Sequence, residues 1–148
     1  MFAMKRFALV ISVILLSAIT ASAHLGSEAA SAAKGHLMVI AITDESGVLK
    51  AFSRMDGAPL LSVEIAIDKA YTAASFGLPT ARWTELLAGH SPAVRQGLVQ
   101  RPRFIAFGGG LPLREADALI GAIGVSGASE DEDSEIAAAG AEAIGLIN

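Results

Sequence analysis

The sequence predicts an α+β domain, a five-stranded and mainly antiparallel sheet with helices packed on it. Three features predict it. Two apolar runs, Leu37 to Thr43 and Val48 to Phe52, flank the turn-forming Asp44-Glu45-Ser46-Gly47 and read as a hairpin. Ser62 to Phe76 repeats apolar residues (Val63, Ala66, Ile67, Ala70, Ala73, Ala74) every three or four positions, the period of a helix with one buried face. Beyond Arg103, the stretches Phe104 to Phe107, Leu113 to Glu115 and Ala118 to Val125 are separated by glycine and proline and read as a three-strand meander.

The elements follow in order along the chain. Met1 to Arg6 carries Lys5 and Arg6, Phe7 to Leu16 is apolar, and Ala21-Ser22-Ala23 has the small-x-small form of a cleavage site. These are the three parts of a secretory signal. The apolar run is shorter than the roughly 20 residues of a spanning helix. Residues 1–23 are therefore expected to be a signal peptide and residues 24–148 the domain. Export to the periplasm or the medium is implied, with no stable membrane span after cleavage. Ala29 to Lys34 is helix-permissive and ends at Gly35, a suitable C-cap. Gly77 and Pro79 stop the Ser62 to Phe76 helix. Thr80 to Gln100 holds one or two short helices, the second opened by Ser91-Pro92. Ser129 and Glu132 form a capping box for a last helix, Glu130 to Ile144.

A chain of 148 residues, 53% hydrophobic and 18% charged, is one domain at most. Its formal charge of −4 becomes more negative once Lys5 and Arg6 are removed, which argues against nucleic-acid binding. With no cysteine, disulfides, thiolate metal sites and cysteine nucleophiles are excluded.

Six of the 15 glycines fall between Gly108 and Gly127. Glycine at such density marks backbone that bends or is closely approached, so a binding surface is expected there. It is not a nucleotide site of known pattern. Gly121-Ala122-Ile123-Gly124-Val125-Ser126-Gly127 lacks the G-x-G-x-x-G order, and no Gly-Lys-Ser/Thr follows. Ser126 falls outside a nucleophile elbow and reads as a turn residue. Glu130, Asp131, Glu132, Asp133 and Glu135 suit the first turn of a helix, where acids favour the macrodipole, better than a calcium loop.

The segments MVIAITDESGVLKAFSRMDGAP, SVEIAIDKAYTAASF, FGGGLPL and IGAIGVSGASEDEDSEIAAAGAEAI, in that order, resemble the GlcG/HbpS-like haem-binding (haem-degrading) family over roughly residues 36 to 145. The resemblance implies a compact, usually oligomeric domain with a five-stranded antiparallel sheet and a bound tetrapyrrole. It implies no catalysis by itself. The family's first helix would begin near Ile19 to Ala23, overlapping the expected cleavage site. Haem requires an axial donor, an apolar slot and cations for its propionates. The donors are His24, His36, His90, Met38, Met55 and Tyr71, and none stands out. His36, at the mouth of the first strand, and His90, in a helix connection, are each either pocket residues or solvated. Arg54 and Asp56 match the family motif and form either a carboxylate clamp or a turn-ordering pair. Lys69 is either a second cation or a solvated residue, and Gly109 and Gly110 are expected to leave main chain open to the ligand. The expected function is a haem-binding homo-oligomer acting as sensor, carrier or scavenger. The alternatives are haem breakdown, an accessory step in small hydroxy-acid (glycolate) metabolism, or a structural oligomerisation module. No catalytic or metal-ligating set emerges from the residues.

Overall fold

The computed structural model describes residues 21–32 and 34–145. Four strands form one antiparallel sheet: β1 (Val39–Asp44), β2 (Leu49–Arg54), β3 (Gly110–Glu115) and β4 (Ala118–Ser126), in the order β2-β1-β4-β3. Helix α1 covers residues 21–32, α2 Ser62–Phe76, α3 Trp83–Ala88, α4 Pro92–Val99 and α5 Glu130–Glu142.

The hairpin forms because its turn satisfies its own backbone. Asp44 Oδ1 accepts the amides of Ser46 and Val48 at 3.0 Å each, and Gly47 takes the left-handed conformation (φ 77°). Lys50 meets the other Asp44 oxygen at 3.0 Å. Burial raises the pKa of that carboxyl, but the lysine and the two amides outweigh it and hold the group below its ordinary value.

Alternation then sorts the two faces of the sheet. Val39 and Ala41 face α2, while Met38, Ile40, Ile42, Ile123 and Val125 face Ile136, Ala137 and Ala141 of α5 and Ala23 of α1. Helix α2 lies unusually close because both surfaces are small. Ala66, Ala70, Ala73 and Ala74 are buried, and a Cβ on Gly124 of β4 would stand only 2.0 Å from the Ala66 carbonyl oxygen. The α2 bounds match the apolar period residue for residue, and the Ser129–Glu132 capping box starts α5 as expected.

The expected fifth strand, Phe104 to Phe107, does not form, and the described sheet has four strands. Its backbone is satisfied by a helix side chain instead. Thr72 Oγ1 donates to the Arg103 carbonyl at 2.8 Å and accepts the Ile105 amide at 3.1 Å. Phe104 meanwhile packs edge-on against Phe76 and Trp83. Strand β3 begins earlier than expected, at Gly110, and runs through Pro112 on an edge where proline is tolerated.

Helix α1 is longer than Ala29 to Lys34. It includes the Ala21-Ser22-Ala23 sequence, with Ala23 fully buried and Ser27 Oγ donating to the Ile136 carbonyl at 3.0 Å. The expected leader up to residue 20 lies outside the described residues.

Candidate functional site

The capping box starts α5, and in its first turn Asp133 is buried against the domain while its acidic neighbours stay near the surface. Asp133 Oδ1 accepts the Ala128 amide at 3.1 Å, and Oδ2 meets Lys69 Nζ at 2.6 Å. Lys69 sits on the inner face of α2 between the buried Ala66 and Ala70. It also donates to the Val125 carbonyl at 2.9 Å, with the Phe107 ring 5.0 Å away. The lysine side chain is 0% exposed and the aspartate side chain 4%. Burial pushes the Lys69 ammonium down and the Asp133 carboxyl up, each opposed by the partner's charge.

The glycine run threads past this pair. The Gly108 amide donates to Glu130 Oε2 at 2.9 Å and the Gly110 amide to Thr80 Oγ1 at 2.8 Å. Gly109 adopts φ 112°, and a Cβ there would lie 2.6 Å from Lys69 Nζ. Two expectations are corrected by this geometry. Lys69 is neither solvated nor a free cation, because α5 supplies it with an internal carboxylate. Gly109 and Gly110 do not leave main chain open, because α2 and Thr80 close over them.

At the hairpin-to-α2 corner, Arg54 Nη2 donates to the Ala58 carbonyl at 2.6 Å. No Arg54–Asp56 ion pair occurs among the described residues; both side chains are exposed, and the arginine orders the turn through main chain instead. Leu37 lies beside Gly57, and the chain continues through Leu60 and Leu61, which are 78% and 67% exposed. A cleft of about 520 Å³ lies among Leu60, Leu61, Val63 and Glu64. The same corner therefore carries an exposed arginine and, a few residues further along the chain, an uncovered apolar surface, the two features an amphipathic acid requires.

The three histidines differ. His36 is half-buried with Nε2 3.0 Å from Glu132 Oε1. His24 lies 3.3 Å from Glu28, which also accepts from Ser53 Oγ at 2.7 Å, and its Nδ1 is buried without a hydrogen-bond partner. His90 is exposed in the α3–α4 connection. Among the described residues, no three His, Asp or Glu side chains converge as a metal site, and no helix is long and apolar enough to cross a membrane.

A second cleft, about 390 Å³, lies between the C-terminal half of α2 and the Leu98 to Phe104 segment. Sequence reasoning missed it. The signal available was the basic Arg101-Pro102-Arg103 beside an aromatic residue; its contact with Tyr71 is a tertiary event.

A four-stranded antiparallel sheet sandwiched by α2 and by the α1–α5 pair, with an ion pair joining α2 to α5, defines an α+β domain. Its kinships are specific. The chain belongs to the HbpS-like family, described as haem degrading protein HbpS-like, whose model matches residues 17–142. Protein GlcG of Escherichia coli is 33% identical over 114 residues, 76% of this chain and 82% of GlcG. The crystal structure of a PduOC–haem complex superposes with a TM-score of 0.80 at 27% identity, covering 87% of this chain and 94% of that one. A double mutant of HbpS from Streptomyces reticuli superposes with a TM-score of 0.78 at 31% identity, covering 87% and 86%.

Proposed function

We propose that this chain is a haem- or tetrapyrrole-binding domain, exported and assembled as a homo-oligomer, that carries, scavenges or senses its ligand. The observation that carries the reading is the likeness to PduOC, a domain solved in complex with haem, over 87% of this chain. The residues present fit such a group. The exposed leucines of the hairpin-to-α2 corner offer an apolar face, Arg54 of the same corner offers a propionate partner, and two half-buried histidines each meet a carboxylate. A carboxylate behind an imidazole fixes its tautomer and ring orientation, the usual support for an axial donor. Bound haem would supply redox and light-absorbing chemistry; the protein's part is to hold it and screen one face from water.

The test is a haemin titration followed at the Soret band. A saturable shift is expected, retained in His90→Ala and lost in His24→Ala or His36→Ala. Replacing Arg54 by alanine is expected to weaken binding about tenfold, the loss of one charge-assisted hydrogen bond. A flat titration of the parent protein would overturn the reading. The enzymatic alternative predicts loss of the Soret band and iron release once a reductant is added.

Two parts of the proposal concern the whole chain. Assembly is supported by β2, an edge strand among the described residues on which Leu49 and Phe52 are exposed, and by the leucines of the α2 start. Export is supported by the charged-apolar-small order of the leader. Cleavage after Ala23 would remove a fully buried residue of α1, so we place processing before Ala23.

A further inference from the structure

We propose that the cleft between α2 and the Leu98 to Phe104 segment is a second binding site, for a small aromatic carboxylate, distinct from the tetrapyrrole surface. Its walls are Tyr71, Phe76, Leu98 and Phe104, and its charged groups are Arg101 and Arg103. The volume of about 390 Å³ lies in the range of small-molecule pockets.

The charge distribution points to an anion. The chain as a whole is acidic, yet between Glu85 and Arg114 it holds Arg95, Arg101 and Arg103 and no aspartate or glutamate. Arg103 Nε is bound by Asp68 Oδ1 at 2.8 Å. Arg101 has no ion pair among the described residues. A planar guanidinium fork without an acidic partner, at the rim of an aromatic-walled cleft, is matched by a carboxylate on a flat apolar body.

The backbone points the same way. The Phe104 amide donates to the Arg101 carbonyl at 3.2 Å, closing a turn in which Pro102 is followed by Arg103 at φ 67°. A turn with proline first and a positive φ second normally places glycine or asparagine at that second position. Arginine is strained there, and strain of this kind persists where the surroundings over-determine it, commonly at ligand clamps. Here Asp68, the Tyr71 ring 3.7 Å beneath the guanidinium, and Thr72 on the Arg103 carbonyl hold it. A turn would be made more cheaply by glycine; the arginine side chain is kept for its contacts with Asp68 and Tyr71, which fix it on the wall of the cleft.

Trp83, the single tryptophan, reports on the cleft because its ring contacts Phe76 at 4.6 Å and Phe104 at 5.0 Å between centroids. The experiment titrates the full protein with benzoate and, separately, with neutral benzamide, following Trp83 fluorescence. Benzoate is expected to saturate with a millimolar dissociation constant, and benzamide to bind at least about tenfold more weakly. Arg101→Gln should weaken benzoate about tenfold. Arg103→Gly relieves the turn while removing the guanidinium, so it should keep a thermal midpoint within about 5 °C of the parent and still lose benzoate. Both variants should take up haemin as the parent does. Superimposable benzoate and benzamide titrations, no benzoate response at about 10 mM, or parent-like benzoate binding by Arg101→Gln would overturn the site. Parallel loss of haemin and benzoate would overturn its separateness.

Discussion

Lys69 and Asp133 show how far a residue's role depends on its partner. Each alone would be an expensive buried charge; together they satisfy one another and cap the Val125 carbonyl and Ala128 amide. Lys69→Met is expected to cost about 3–5 kcal/mol in urea unfolding, because an uncompensated carboxylate stays behind. Adding Asp133→Asn should restore most of that loss. The pH dependence distinguishes this from simple mispacking. Burial holds the Asp133 carboxyl above its unfolded value of 3.8, so through that window the native state keeps a proton the unfolded chain has lost. Its contribution to stability therefore falls as pH rises from 3.8, and more steeply in Lys69→Met, where the opposing ammonium is gone. A urea midpoint of that variant that rose with pH would contradict the assignment. The sequence showed Lys69 as a helix lysine and Asp133 as one acid among five. The capping box marks Glu132, but nothing local distinguishes Asp133 from Glu130 or Asp131, since the inward direction is set by where α5 docks.

At the level of elements, the chain places α2 through contact of small residues rather than through large apolar side chains. Gly124→Ala would drive a methyl into the Ala66 carbonyl and is expected to cost about 3 kcal/mol or more. Gly97→Ala, in the exposed helix α4 with no atom within 4 Å of the new Cβ, should instead stabilise by about 0.5–1 kcal/mol. Denaturant midpoints of the two variants test both. The same glycines explain a misreading. Their density was legible as close approach, but the sequence did not say whether a ligand or a helix approaches, and here α2 and Thr80 do. Phe104 to Phe107 has the composition of a strand; it stays outside the sheet because Thr72 and the aromatic cluster satisfy it first.

For the whole molecule, exported protein is expected to scatter light as an oligomer, and its intact mass should show Ala23 retained; a monomer ending its processing after Ala23 would contradict both proposals. Burial of β2 and the α2 leucines between copies would also give the apolar surface of the hairpin-to-α2 corner a second wall. The hairpin, α2, β4 and α5 were determined by the sequence alone, because turn chemistry, apolar period and capping act over a few residues. The order of the motifs likewise determined the family. The tertiary structure decided what those elements do to one another: that Lys69 is spent internally, that Gly109 and Gly110 are sealed, and that Arg101, Arg103 and Tyr71 share a cleft. Such pairings join residues about 30 to 60 positions apart, where desolvation and packing choose the partner and local pattern carries no record of the choice.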